Sequence, residues 1–515
     1  MKQFVRFSVS ASALALGFAA GIASAAPGDP AAKLDSGIVR GVREGDTLVF
    51  PGIPYAAPPA GALRWRAAQP LAPWTGVRPA THFGANCPQP RLQGQASVPQ
   101  PPQSEDCLTI NVVAPARLQK ALRPVMVWVH GGAFFVGSGD EVAVANSPLV
   151  RRGVVLVSFN YRVGRFGFFA HPALGAEHPR ETNGNYWLSD QIAALQWVQR
   201  NIRAFGGDAG NVTIFGVSAG GSSVNSLVVS PGARGLFRRA IVHSGGGVFN
   251  ATRPLERALK EGQEVATRLG VVAEDPAVLA KLRALSPEEI IAHEPTTPDY
   301  GAIVDAKLLP ADIAVAFARG DIARVSYVAG STSDEASIFG LMGFDAKVLK
   351  ERFGVRLDDL RAIYDPDRRL PDAQLLRQIQ TDFIFTSGSI GLPALAARAG
   401  IPARSFRFAY ISDRDRGRVA GVPHGGDMPY VLGTLVEPSA ADARIVKMMG
   451  DYWVNFARRG DPDGPGLPRW PLYAGKAPET LVIEQDTKAV PDFRRAQLQP
   501  WFDKWEAQTG LKMPR

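Results

Sequence analysis

The sequence predicts an α/β fold, a central and mostly parallel sheet flanked by helices, with helical insertions that shape a pocket above it. Two observations predict it. Strand-like segments are continuous apolar runs rather than alternating ones, as in strands covered on both faces. Helix-like segments intervene between them along most of the chain, which is the pattern of a layered α/β domain. The strand candidates are Val125–Val129, Val154–Val157, Val212–Phe215, Val325–Ala329 and Phe406–Ile411.

Between the second and third strands lies a helix with Ser189 as its expected cap. Ile192, Leu195, Val198 and Ile202 line one face, and Gly206-Gly207 closes it. A second helix is expected from Ala219 to Ser230, stopped by Pro231-Gly232. The segments Glu256–Leu285 and Pro371–Ala399 read as mainly helical and are expected to shape a pocket above the sheet. No internal repeat divides the chain. Residues 26–515 are read as one domain.

The first 25 residues read as an export signal. Lys2 and Arg6 form a positive start, Val9 to Ile22 is apolar or small throughout, and Ala23-Ser24-Ala25 offers a cleavage site. No later run is long and apolar enough to span a bilayer, so a secreted or periplasmic location is expected. The only cysteines, Cys87 and Cys107, then meet oxidising conditions and are spaced to close a loop. The Pro- and Gln-rich stretch Gln89–Ser104 lies inside that loop. Without a histidine cluster nearby, two cysteines make no metal site, and neither metal nor organic cofactor is expected. The formal charge of +9 falls to +7 when Lys2 and Arg6 are removed. Its basic residues are scattered, so a nucleic-acid partner is not expected.

The strongest chemical signal is Gly216-Val217-Ser218-Ala219-Gly220, between an apolar strand and a helix. A G-x-S-x-G pattern in that setting puts the serine on a sharp exposed corner at a helix N-terminus. A serine needs a base to act as a nucleophile. Of the seven histidines, His243 follows Ala240-Ile241-Val242 and reads as a satisfied core residue. His424, in a flexible glycine loop late in the chain, fits the order serine, acid, histidine. The acid lies between them: Asp334 and Glu335 follow the strand Val325–Ala329, and spacing alone does not choose between them. His130-Gly131-Gly132-Ala133-Phe134 follows another strand. Its small residues let N–H groups, with that of Ala219, approach a developing oxyanion.

Taken with Phe50–Ala56, Glu105–Val112 and Asn160-Tyr161-Arg162, these motifs resemble the type-B carboxylesterase family, relatives of the cholinesterases. The resemblance covers nearly the whole chain after the signal. It implies an α/β-hydrolase fold, hydrolysis of small-molecule carboxylic esters through an acyl-enzyme, and a triad of Ser218, Glu335 and His424. It further implies Gly132, Ala133 and Ala219 as oxyanion donors and a Cys87–Cys107 disulfide. Phe134, Phe135 and Trp187 are candidates to line an apolar pocket, and core packing accounts for any one of them equally well. Three departures stand out: Val217 where glutamate is usual, Trp187 where glycine is common, and Asp427 where glutamate is frequent. An amidase or peptidase using the same triad is the alternative activity. A non-catalytic binding role is disfavoured because Ser218, Glu335, His424 and the glycine loop are all retained.

Overall fold

The computed structural model describes residues 29–91, 101–117, 120–142, 147–249, 252–295, 299–340 and 345–514. The first 25 residues, read above as an export signal, and residues 92–100 of the Pro- and Gln-rich loop lie outside them.

One sheet of eleven strands organises the molecule. In chain order its strands are β1 (Val42–Glu44), β2 (Thr47–Pro54), β3 (Thr109–Pro115), β4 (Arg123–Val129), β5 (Val155–Phe159), β6 (Gly207–Val217), β7 (Arg239–His243), β8 (Ser326–Thr332), β9 (Ala403–Phe408), β10 (Glu479–Ile483) and β11 (Lys488–Pro491). Their spatial order is β1-β2-β3-β5-β4-β6-β7-β8-β9-β10-β11. The seven strands from β5 to β10 in that order are mutually parallel, and antiparallel strands close both edges.

The apolar runs are continuous because both faces are covered. In β4, Val125, Val127 and Val129 join one buried cluster and Met126 and Trp128 join the other. Helices α1 (Tyr186–Asn201) and α2 (Ala219–Val229) supply Leu188, Leu195, Val224 and Leu227 to the first cluster. The second cluster is covered by Ile445, Met449 and Trp453 of a 20-residue helix, Ala440–Arg459.

Helix α1 begins at Tyr186, one turn earlier than Ser189 suggested. The Asn185 side chain is committed to both main-chain groups of Ile303, which fixes the chain's entry into the helix. Ser189 lies inside the helix, and its hydroxyl oxygen accepts the Ala68 N–H at 2.9 Å. Two helices, α3 (Leu255–Arg268) and α4 (Val278–Ala284), occupy the 256–285 segment. They form a satellite cluster with Trp65, Phe166 and Tyr186 rather than the roof of the main cavity. The 371–399 segment folds as α5 (Asp372–Thr381), a π-helical turn over Asp382–Thr386, and α6 (Ser387–Arg398). Cys87 and Cys107 are disulfide-bonded. Among the described residues, no helix is long and apolar enough to cross a membrane.

Candidate active site

Ser218 sits between the end of β6 and the first residue of α2, with φ 59° and ψ −124°. A non-glycine residue at that φ is strained, and such strain concentrates at functional sites. The corner is held from below by a hydrogen bond from the Ser218 N–H to the His243 carbonyl, 2.9 Å. Gly220 makes the turn sterically possible, since a Cβ there would lie 2.1 Å from the Val129 carbonyl oxygen. The strand and the helix can therefore approach each other only because position 220 carries no side chain.

The glycine loop after β4 packs against this corner. A Cβ on Gly131 would lie 3.3 Å from Cβ of Ser218. Gly132, Ala133 and Phe134 have φ of 103°, 55° and 59°, three successive left-handed residues. Such a run curls the main chain and lets consecutive N–H groups converge. Gly132 is required there, because a Cβ would meet the Val136 carbonyl oxygen at 2.1 Å. No acceptor among the described residues takes the Ala133 or Ala219 N–H. His130 braces the loop from inside. Its ring stacks on Tyr161 with centroids 4.1 Å apart, and its carbonyl accepts the Tyr161 hydroxyl at 2.9 Å. Burial pushes the His130 imidazole down to about 4, against the opposing effect of its bond to the Gly131 carbonyl.

His424 lies on a loop after β9, and its N–H donates to Ser337 Oγ at 2.9 Å. Its Nδ1 bonds to Oε2 of Glu335, leaving Nε2 buried and without a partner among the described residues. Glu335 is fully buried at the turn after β8. Its Oε1 accepts the Thr332 N–H at 2.6 Å and the Ser244 hydroxyl at 2.5 Å. Asp334 takes a different path: its carboxylate bonds to Arg377, and burial pushes its pKa up against that pairing. Of the two adjacent acids, Glu335 is the one brought to His424. Arg407, buried behind them, donates to Ser331, Thr386 and the Ser333 carbonyl. Burial lowers its pKa to about 10, with Asp382, Glu335 and Asp334 pulling the other way, so it is a cation at neutral pH.

Ser218 opens into a cavity of about 330 Å³. Phe134 lines it, with Phe339, Ile384 and Phe385 on the insertions over the sheet. The Phe385 ring is 4.8 Å from that of His424. A π-helical turn adds one residue to the helical repeat and re-aims its side chains, which accounts for two consecutive residues, 384 and 385, facing the cavity. Trp187 is fully buried behind this wall, its ring 4.9 Å from that of Phe134. Phe135 turns toward Tyr300, with ring centroids 6.1 Å apart. Neither Phe135 nor Trp187 lines the cavity. Val217, the residue before the serine, fills the space between Gly131 and Gly425.

Sequence reasoning missed Ser244 and the cavity residues at 339, 384 and 385. The run Gly245-Gly246-Gly247 after β7 was the available signal for the first. Ser244 itself has φ 48°, another strained residue beside the site.

The arrangement holds an imidazole by Nδ1 with Nε2 open, and sets a strained serine at the wall of an apolar cavity. N–H groups stand ready for a negative oxygen. These are the parts that acyl transfer requires.

Comparison with known proteins places the chain in a family and a fold. A model of the Carboxylesterase family matches residues 28–501. The chain is 36% identical over 462 residues to fumonisin B1 esterase of Sphingopyxis macrogoltabida, covering 85% of this chain and 83% of that protein. It is 33% identical over 476 residues to para-nitrobenzyl esterase of Bacillus subtilis (strain 168), covering 87% of this chain and 94% of that one. A solved PNB esterase structure superposes with a TM-score of 0.80 at 29% identity, covering 92% of this chain and 99% of the other.

Proposed function

The chain belongs to the carboxylesterase family and has its α/β-hydrolase fold, and from that premise we propose that Ser218, His424 and Glu335 hydrolyse small-molecule carboxylic esters as a triad. The observation that carries the reading is the His424 ring, anchored through Nδ1 on buried Glu335 with Nε2 left open.

In the first half-reaction the Ser218 hydroxyl attacks the ester carbonyl carbon as Nε2 of His424 takes its proton. The carbonyl oxygen becomes an oxyanion and is met by the N–H groups of Gly132, Ala133 and Ala219. Removing one such donor typically costs on the order of 3 kcal/mol of barrier. The C–O bond to the alcohol then breaks, and His424 returns the proton to the departing oxygen. In the second half-reaction water attacks the acyl-serine, His424 takes its proton, and the acid leaves as Ser218 is re-protonated. Glu335 holds the Nδ1–H tautomer throughout and stabilises the imidazolium. No step draws on a cofactor. Phe134, Phe339 and Phe385 form an apolar wall suited to uncharged ester groups.

The same reading places the mature chain outside the cytoplasm. Its support is the N-terminal pattern of residues 1–25 and the disulfide between the only two cysteines, since disulfides persist in oxidising compartments.

The test is hydrolysis of p-nitrophenyl acetate and butyrate by the mature protein beside a folded Ser218→Ala variant. Turnover that disappears in the variant is expected. Equal rates in the two proteins would refute the assignment.

A further inference from the structure

His243, at the end of β7, is fully buried and has both ring nitrogens engaged. The Trp453 indole N–H donates to its Nε2 at 3.1 Å. An indole nitrogen only donates, so Nε2 is the unprotonated nitrogen. Nδ1 therefore carries the proton and donates it to Oδ2 of Asp427 at 2.6 Å. This repeats the imidazole–carboxylate geometry of His424 and Glu335 with one difference. Nε2 of His424 is open, whereas Nε2 of His243 is closed by Trp453 and cannot receive a substrate proton.

What His243 touches gives it another role. Its main-chain carbonyl accepts the Ser218 N–H. Its ring holds Asp427, three residues beyond His424 on the same loop. Upstream of His424 that loop is tied to the acid's segment, through Val422 N–H to Ser333 Oγ at 2.8 Å and Asp334 N–H to the Val422 carbonyl at 2.8 Å. Downstream come Gly425 and Gly426, which leave the main chain free to turn. The side-chain hydrogen bond on that side is made by Asp427, just ahead of the buried helix Met428–Leu432. The other Asp427 oxygen, Oδ1, is buried without a partner among the described residues, so the carboxylate's link to β7 is His243.

Resting on the triad reading above, we propose that His243 and Asp427 are positioning residues, a buried clasp that fixes the His424 loop against the serine corner. The upstream ties set His424 relative to its acid. The clasp sets it relative to its nucleophile.

Two variants separate this role from simple core packing. In His243→Asn the amide nitrogen falls near the place of Nδ1 and can still donate to Asp427. In His243→Gln the amide falls near the place of Nε2, which serves Trp453 and leaves Asp427 unpaired. Both are polar and of similar volume, and each is compared after circular dichroism confirms a folded chain. With p-nitrophenyl butyrate, the Gln variant is expected to lose kcat on the order of 10- to 100-fold with KM little changed, the size of effect a misplaced catalytic group produces. The Asn variant is expected to retain most of the activity. An Asp427→Ala/His243→Gln double variant should lose no more than the Gln variant alone, because the two residues act through one bond. A Gln variant as fast as the Asn variant, or additive losses in the double variant, would overturn the clasp. Ser218→Ala is run beside them. If it turned over at the wild-type rate, the triad reading itself would fail, whatever the histidine variants did.

Discussion

Glu335 accepts hydrogen bonds from the His424 ring, the Thr332 N–H and the Ser244 hydroxyl at once. Only a carboxylate, an acceptor at both oxygens, satisfies all three. Glu335→Gln keeps the volume but puts an amide donor against existing donors, and it forces His424 out of the tautomer that leaves Nε2 open. A loss in kcat on the order of 10⁴-fold is expected, the scale seen when a triad acid becomes its amide, with the melting temperature little changed. A kcat for p-nitrophenyl butyrate close to wild type would contradict the role. At this scale the sequence was uneven. Ser218 was legible because a strand and a helix bracket its pentapeptide. The choice between Asp334 and Glu335 was not, because it depends on which way two adjacent side chains leave one turn. Spacing does not carry that, and the family resemblance supplied it. Ser244 belongs to no motif, and its part follows only from its contact with Glu335.

The glycine loop shows how an element can be strained and braced together. Its three left-handed residues, 132 to 134, are held over His130, whose buried ring titrates near 4 rather than 6.5. As pH falls below 6.5 the unfolded chain takes up a proton at this site while the folded chain does not. The stability tied to a neutral His130 is thus present above pH 6.5 and is lost as pH falls toward 4. The loss amounts to on the order of 3 kcal/mol. Urea unfolding at pH 7 and pH 4.5 should show a steeper loss for the wild type than for His130→Asn. Parallel losses would show that the ring is not buried neutral. Elements were more legible than residues. The parallel strands were readable because each is apolar on both faces, and α2 because Pro231 stops it. The start of α1 was misplaced because a tertiary bond from Asn185, not the nearest serine, sets it. The cavity roof was sought partly in α3 and α4, whose apolar faces pack on Trp65 and Phe166 instead.

Across the whole molecule, residues far apart in sequence converge because parallel strands deliver their C-terminal ends to one edge. Ser218 follows β6, Glu335 follows β8, and His424 follows β9, with the glycine loop after β4. That convergence was legible in outline, since an α/β sheet places its sites at such an edge. The shape of the cavity was not, because the insertions that roof it pack by tertiary contacts that no local pattern encodes. The proposed export is tested on the whole chain as well. The protein recovered from outside the cytoplasm should begin at Ala26 and show no free thiol without reduction. A loop closed across 20 residues contributes roughly 3 kcal/mol in the chain-entropy model. A retained Met1, or two titratable thiols, would contradict that placement. The central claim is that this convergence makes one serine nucleophilic. It is tested most directly by treating the native enzyme with a p-nitrophenyl phosphonate and locating the adduct by peptide mass spectrometry. One phosphonyl group per chain is expected, on Ser218, formed in step with loss of esterase activity and absent from the His424→Ala variant. An adduct elsewhere, or full inhibition with Ser218 unmodified, would contradict it.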